Sequence, residues 1–276
     1  MPELPEVETV CRGLAVKLEG RALARVEARR RDLRQPLPRD FVRRLTGRRV
    51  DRISRRAKYI LFHLDDGTVL IAHLGMSGRM VVAADPATPH DAHDHVVFTT
   101  DAGVSIRYND ARRFGLMTLT RSAELAEHPL LAGIGPEPLG NEFNGQALAE
   151  RLAGKSTPIK AALLDQTVVA GIGNIYACEA LFQAGVSPRR LARTVQGDRA
   201  ERLVHAIRDV LTRAIAAGGS SLRDHVQPSG ELGYFQYAWA VYGREGEPCP
   251  GCDCNGGIKR LVQSSRSTFY CAKRQR

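Results

Sequence analysis

The sequence predicts an α+β protein of several domains. An N-terminal antiparallel β-sandwich with flanking helices is followed by a helical domain that ends in a cysteine-bearing β-hairpin. Three observations predict this order. Short apolar segments separated by Gly and Asp fill residues 48–119, helical periodicity dominates residues 146–217, and four of the six cysteines lie within residues 249–271.

The N-terminal helix is predicted over residues 3–18. Its apolar residues follow helical spacing, and they are Val7, Val10, Leu14 and Leu18. Proline is tolerated in a first helical turn, so Pro5 does not oppose this assignment. Pro2 and Glu3 therefore stand at the start of the helix.

The sandwich is predicted from short strands with turn residues between them. Residues 59–64 and 68–74 flank Asp65-Asp66-Gly67, which is typical of two strands joined by a turn. Further strands are predicted over residues 95–98, 104–108 and 114–119. Many short strands punctuated by Gly and Asp are typical of a sandwich or barrel.

Residues 129–144 are rich in Gly and Pro and indicate the end of the β region. Helices are predicted beyond them, over residues 146–152, 159–165, 175–184 and 198–217. The predicted domains are an N-terminal sandwich (1–130), a linker (131–144), a helical domain (145–240) and a terminal hairpin (241–276).

The formal net charge is +10 and the sequence pI is about 9.6. Arginine is dense over residues 21–56, and basic residues recur in the last twenty or so, which favours a polyanionic partner. An arginine-rich proteome is the alternative, because it would raise arginine content everywhere. No apolar run approaches the roughly 20 residues of a membrane span. The N-terminus also lacks the pattern of a signal peptide, so a soluble cytosolic protein is expected.

The cysteines fall into two groups. Cys11 and Cys178 are isolated within helical sequence and are expected to be small buried side chains. The others cluster near the C-terminus, which in a cytosolic chain indicates a metal site rather than disulfides. They are Cys249, Cys252, Cys254 and Cys271.

Pro2 has a chemistry of its own if the initiator Met1 is removed. The free α-amine would have a pKa of roughly 8, so a useful fraction is unprotonated near neutral pH. Attack of this secondary amine on a sugar C1′ gives an iminium that has no N–H proton to lose and acts as an electron sink. Glu3 would serve as general acid or base. The alternative is an ordinary helix start, where Pro and Glu are common.

The full N-terminal motif, residues 1–9, resembles that of formamidopyrimidine-DNA glycosylases. The resemblance continues in the same order through four further motifs, at residues 74–78, 110–115, 164–176 and 266–271. It covers nearly the whole chain and implies a helix–two-turn–helix domain followed by a zinc-finger-like hairpin. It also implies that Pro2 is the nucleophile, Glu3 the acid–base partner, Lys58 a proton donor in β-elimination and Arg266 the group that holds the lesion phosphates.

The same resemblance implies that Met76, Arg112 and Phe114 fill the gap left when a damaged nucleotide is flipped out of the duplex. Such a gap needs apolar support for the unstacked neighbours and a partner for the orphaned base. Core packing is the alternative for Met76 and Phe114.

Other DNA contacts implied by the resemblance are His93, Lys155 and Asn174. Ser156 stands where the family often has a second lysine, which makes Lys160 the neighbouring candidate. The histidine run that contains His93 has a metal site as its alternative. Residues 218–224 resemble the loop that covers a flipped purine.

The terminal cysteines depart from the family pattern of two Cys-x2-Cys pairs. Arg274 stands where the fourth cysteine is expected. One alternative is a rearranged zinc site of Cys249, Cys252, Cys254 and Cys271, with one structural ion. The other is a hairpin without zinc, which some relatives have.

The function implied is base-excision repair by a bifunctional glycosylase and abasic-site (AP) lyase. Its substrate would be double-stranded DNA containing oxidised purines, such as 8-oxoguanine and formamidopyrimidines, nicked by β,δ-elimination. The alternatives are an oxidised-pyrimidine glycosylase of the endonuclease VIII type and a non-catalytic damaged-DNA-binding paralogue. We expect a monomer in the bacterial cytoplasm, associated with the nucleoid.

Overall fold

The computed structural model describes residues 1–83, 85, 87–221 and 228–276. Its contacts divide the chain into two compact units. Unit 1 contains residues 1–132 and 217–236, and unit 2 contains residues 133–216 and 237–276. None of the helices in these described segments is both long enough and apolar enough to cross a membrane.

Unit 1 is an antiparallel β-sandwich with two helices against it. The helices are α1 (Leu4–Leu18) and α2 (Phe41–Leu45), and a short 3-10 turn covers Ser122–Glu124. The strands are β1 (Arg25–Ala28), β2 (Val50–Arg56), β3 (Tyr59–Leu64), β4 (Thr68–His73), β5 (Arg79–Val82), β6 (Asp94–Thr99), β7 (Ser105–Asn109) and β8 (Leu116–Arg121). One sheet has the order β2-β3-β4-β8, the other β1-β6-β7-β5, and all pairs are antiparallel.

The two sheets share one core with α1. Phe62 of β3 and Phe98 of β6 come from opposite sheets, and their rings stack with centroids 6.2 Å apart. Val10 and Leu14 of α1 are buried in the same cluster, as the helical spacing predicts. The predicted sandwich is therefore confirmed.

Unit 2 is helical and ends in a two-stranded hairpin. Its helices are α3 (Gly145–Leu152), α4 (Ile159–Leu164), α5 (Asn174–Gln183) and α6 (Asp198–Ala216), and its strands are β9 (Lys259–Gln263) and β10 (Arg266–Tyr270). Short 3-10 turns cover Ala192–Thr194 and Phe235–Ala238. Helix α5 packs against α4, α6 and β10. Each helix begins and ends within a residue of its prediction, and the α+β fold class is confirmed.

Residues 217–236 group with unit 1, whereas the sequence places them in the helical domain 145–240. The amide of Val82 donates to the carbonyl oxygen of Pro228 at 2.9 Å, and Gly13 of α1 lies so close to the Pro228 ring that a Cβ there would collide with it. These tertiary contacts have no counterpart in the local sequence pattern.

We predict that Phe62→Ala lowers the free energy of unfolding by about 3–5 kcal/mol, because it leaves a cavity against Phe98 where neither ring is exposed. Urea unfolding measures the change. Phe62→Leu is the matched control and should cost clearly less, since it keeps most of the apolar volume. An alanine variant as stable as the parent would contradict a filled core between the sheets.

Candidate active site

The start of α1 is held by a capping box between Glu3 and Glu6. The amide of Glu3 donates to Oε2 of Glu6 at 2.8 Å, and the Glu3 side chain accepts the amide of Glu6. Pro2, Glu3 and Glu6 are all buried. The residue predicted as nucleophile therefore precedes a helix start that is fixed by reciprocal hydrogen bonds.

Glu6 also holds the segment that resembles the lesion-covering loop. Its Oε1 accepts the amide of Ser220 at 2.8 Å. Gly219 has a φ of +79° and lies against the Glu6 side chain, a backbone conformation that favours glycine. The structure therefore describes the predicted lesion-covering loop, residues 218–224, as far as Ser221. Leu222, Arg223 and Asp224 lie outside the described residues.

A pocket of about 370 Å³ opens beside the N-terminus. It is lined by Met1, Arg34, His73, Gly75, Met76 and Phe114. Met1 is covalently joined to Pro2, so removal of Met1 would expose the Pro2 nitrogen next to this space. Sequence reasoning missed Arg34 and His73. The position of His73 at the end of a strand, directly before the 74–78 motif, was the available signal.

His73 is neutral in this pocket. Burial lowers the pKa of His73 to about 4, helped by the positive charges of Lys58 and Arg34. Its Nδ1 accepts the amide of Gly75 at 3.0 Å, which requires that this nitrogen carry no proton. Lys58 is itself buried and follows Ala57, whose φ of 51° closes the β2–β3 turn.

Two loops meet at the pocket wall, residues 74–78 and residues 110–115. Gly75 has a φ of +64° and lies so close to the backbone of Phe114 that no side chain would fit between the loops. Met76 and Phe114 are 41% and 44% exposed, which excludes core packing as their role. The guanidinium of Arg112 lies 4.8 Å from the centre of the Phe114 ring. The structure therefore brings the three predicted void-filling residues together.

His93 is exposed beside the second loop, and its carbonyl oxygen accepts the amide of Asp110 at 3.1 Å. The neighbouring His95 is buried, and its Nε2 lies 2.8 Å from the carbonyl oxygen of Asp110. Within the described part of the chain, a grouping of three or more His, Cys, Asp or Glu that could hold a metal occurs at the terminal cysteines and not at this histidine run.

In unit 2, Arg266 is exposed as the first residue of β10, directly after a two-residue turn. Ser264 and Ser265 form that turn with φ values of 48° and 60°. Both central residues of a tight type I′ hairpin turn need positive φ, a conformation that costs serine more than glycine.

Asn174 and Lys160 hold the strand that carries Arg266. Nδ2 of Asn174 donates to the carbonyl oxygen of Ser267 at 3.0 Å, and Nζ of Lys160 donates to the same oxygen at 3.1 Å and to Thr268 Oγ1 at 2.7 Å. Lys160 is fully buried, which does not fit a direct phosphate contact. Lys155 is partly exposed, and its Nζ lies 3.8 Å from Asp165.

The four terminal cysteines converge. Their Sγ atoms all lie within 4.8 Å of one another, and Cys252 and Cys254 each lie 3.5 Å from Cys271. Four thiolates around a zinc ion at about 2.3 Å would stand about 3.8 Å apart, so this donor set fits the metal. Burial alone would raise the pKa of Cys271, but hydrogen bonds from the Arg274 amide and the other thiols lower it to about 7.

Arg274 lies beside this cluster without belonging to it. Its amide donates to Sγ of Cys271 at 3.5 Å, and its guanidinium donates to the carbonyl oxygen of Gly251 at 3.0 Å and covers the Phe182 ring at 4.9 Å. The absence of a cysteine at position 274 therefore does not leave the cluster one thiol short, because Cys254 completes it.

The chain matches the family model for the formamidopyrimidine-DNA glycosylase N-terminal domain over residues 1–117. It also matches the model for the formamidopyrimidine-DNA glycosylase H2TH domain over residues 134–226. It is similar to the formamidopyrimidine-DNA glycosylase of Rhodospirillum centenum, with 63% identity over an alignment of 290 residues that covers 100% of both chains.

Solved structures give the same result. The MutM (Fpg) protein of Thermus thermophilus has a TM-score of 0.87 and 40% identity over 99% of this chain and 98% of that one. The complex of Lactococcus lactis Fpg with DNA containing an N7-benzyl-Fapy-dG has a TM-score of 0.89 and 34% identity over 100% of both chains. The complex of Lactococcus lactis Fpg with abasic-site DNA has a TM-score of 0.88 and 34% identity over 99% of both.

We predict that His73→Gln makes stability less sensitive to acid. The folded-state pKa of His73 is lowered, so its contribution to stability is complete above the ordinary value near 6.5 and is lost as pH falls towards 4. The parent should therefore lose about 1–2 kcal/mol more than the variant between pH 7 and pH 5, measured by urea unfolding. Replacement of the exposed His205 by Gln is the control. Parallel losses in all three proteins would show that His73 is not buried in the neutral form.

Proposed function

This chain belongs to the formamidopyrimidine-DNA glycosylase family, and we propose that it repairs oxidised DNA through the amine of Pro2. It is a DNA glycosylase of base-excision repair with AP lyase activity, and its substrates are oxidised purines such as 8-oxoguanine and formamidopyrimidines in double-stranded DNA. The observation that carries the proposed role of Pro2 is the pocket beside Met1, with Met76 and Phe114 exposed on its wall.

The reaction begins after removal of Met1 frees the Pro2 amine. Its lone pair attacks C1′ of the damaged nucleotide, the bond from C1′ to the base breaks, and the base departs with the proton that the amine of Pro2 loses. The C1′–O4′ bond then breaks and the sugar ring opens, and Glu3, buried next to the nucleophile, gives the proton that O4′ takes up. The product is an iminium between Pro2 and C1′ whose positive charge cannot be lost as a proton.

The iminium draws electrons from C2′. Loss of a C2′ proton breaks the bond from C3′ to its phosphate oxygen, and a second elimination breaks the bond from C5′ to its phosphate. Lys58 donates a proton in the β-elimination, and its charge already influences His73 on the pocket wall. Arg266 holds the lesion phosphates, for which a guanidinium is well suited because it donates two parallel hydrogen bonds.

The gap left by the flipped nucleotide is filled by Met76 and Phe114, while Arg112 donates to the orphaned base. His93, Lys155 and Asn174 are the remaining proposed DNA-binding residues. Because the substrate is DNA, we place the enzyme in the bacterial cytoplasm, at the nucleoid. We also propose that it acts as a monomer.

A zinc ion would be held by Cys249, Cys252, Cys254 and Cys271. When bound it supplies no catalytic chemistry but fixes the fold of the terminal segment. The cluster packs with Phe269 of β10, so the ion would stabilise the strand that begins at Arg266. Along the sequence we propose the domain division 1–130, 131–144, 145–240 and 241–276, although residues 217–236 of the third domain pack with unit 1.

We predict that borohydride reduction links the enzyme covalently to DNA containing 8-oxoguanine opposite cytosine, because the iminium is the species reduced. Pro2→Gly keeps a free α-amine, but this amine is primary and belongs to a more flexible residue. Trapping should therefore fall by at least about tenfold. Gel electrophoresis of the adduct measures the change.

An adduct with the parent protein would exclude the non-catalytic alternative, and the absence of one on any abasic or 8-oxoguanine DNA would overturn the proposed mechanism. Thymine glycol in the same duplex is the comparison substrate. Faster trapping on thymine glycol than on 8-oxoguanine would favour the oxidised-pyrimidine alternative.

We predict that the purified protein holds about one zinc ion per chain and that Cys254→Ser loses most of it, because three thiols remain of four. Elemental analysis after gel filtration measures the content. Arg274→Ala is the matched control and should keep the metal, since Arg274 is not a ligand. Zinc retained by Cys254→Ser, or absent from the parent, would contradict the four-cysteine site.

A further inference from the structure

Asp110 is a fully buried carboxylate between the two loops of the pocket wall. Its Oδ1 accepts the hydroxyl of Ser77 at 2.6 Å, and its Oδ2 accepts the amide of Gly115 at 2.9 Å and the hydroxyl of Tyr108 at 3.1 Å. A buried carboxylate is costly unless donors satisfy it, and here three do. The mechanism proposed above gives Asp110 no part.

The hydrogen bond between Ser77 and Asp110, here called the first tether, holds the loop that carries Met76. Ser77 follows Met76 directly, and its hydroxyl donates to Asp110 while its oxygen accepts the amide of Arg112 at 3.2 Å. One hydroxyl therefore joins the residue next to Met76 to the residue that is proposed to meet the orphaned base.

The hydrogen bond between Gly115 and Asp110, here called the second tether, holds the loop that carries Phe114. Gly115 follows Phe114 directly and donates its amide to Asp110. Arg113, between the two void-filling residues of this loop, has a φ of 55°, an unfavourable conformation for a residue with a side chain. The amide of Arg113 donates to the carbonyl oxygen of Asp110 at 3.2 Å and helps to hold that conformation.

The backbone of Asp110 adds a third segment. Its amide donates to the carbonyl oxygen of His93, and its carbonyl oxygen accepts from Nε2 of His95. A carbonyl oxygen only accepts, so Nε2 of His95 carries the proton. Three segments with proposed DNA-binding side chains thus meet at one residue.

We infer that Asp110 is a positioning residue that fixes Met76, Arg112 and Phe114 as a single rigid wedge for the gap in the duplex. The inference rests on the proposed function, because it presumes that these three side chains fill that gap. It follows that Asp110 matters for lesions in duplex DNA and not for the same lesion in a single strand, which has no gap to fill and no opposite base.

The test compares borohydride trapping on an abasic site opposite cytosine in a duplex with trapping on the same strand alone. Asp110→Asn replaces one accepting oxygen by a donor and should slow duplex trapping by about tenfold while single-strand trapping stays within about twofold. Tyr108→Phe is the matched control. It removes a donor to the same carboxylate but leaves both loop tethers, so both rates should stay within about twofold of the parent.

Ser77→Ala removes the first tether alone. It should also slow duplex trapping more than single-strand trapping, but by less than Asp110→Asn does. If Asp110→Asn fails to fold, the Ser77→Ala split decides the inference. Equal losses on both DNA forms would mean general destabilisation and would overturn the inference, as would an unchanged duplex rate. A parent protein that forms no adduct with either DNA would instead overturn the proposed function, and the inference with it.

Discussion

The loops of this protein depend on buried carboxylates, which accept hydrogen bonds and donate none. Glu6, Asp110 and Glu179 are each almost or fully inaccessible to solvent. A charge removed from water is tolerated only where several donors surround it, so each carboxylate requires particular amides and hydroxyls to be in place. Glu179 shows the cost, since burial raises its pKa even though three backbone amides oppose that shift.

This requirement explains why exposed side chains can be held accurately. Glu6 joins the start of α1 to Ser220, Asp110 joins three pocket segments, and Glu179 accepts the amides of residues 240–242 in unit 2. Tyr242 in turn contacts Asn174 and the Phe269 ring of the hairpin. Polar groups below the surface fix the backbone, and the proposed DNA-binding side chains project from it.

The sequence predicted the fold wherever one periodicity ran long enough. Helices α1 and α6 and strands β3 and β4 have strong apolar patterns, and their bounds were confirmed. Strands β1, β2 and β5 and helix α2 were missed. The elements β1, β5 and α2 have only four or five residues, and the seven residues of β2 include three arginines, so none of them has a long apolar pattern. The candidate site divides in the same way. Motif residues such as Met76 were identified by resemblance. The position of Arg34 in the pocket, the burial of Lys160 and the hydrogen bonds that converge on Asp110 depend on tertiary contacts, which the local sequence does not reveal.

The terminal cysteines show how a departure from a motif can leave its geometry intact. A thiol ligand is defined by the position of its sulfur and not by its place in the chain, so a cysteine from another turn can serve if the backbone brings it within reach. Cys254 follows Cys252 by two residues and lies as close to Cys271 as Cys252 does. Position 274 is then released from ligation, and its arginine covers Phe182 and bonds Gly251, which encloses the cluster from the C-terminal side. With Cys254 as a ligand in place of a cysteine at position 274, the fourth thiol comes from the beginning of the terminal segment and not from its end. Four thiols still surround a common centre next to the strand of Arg266.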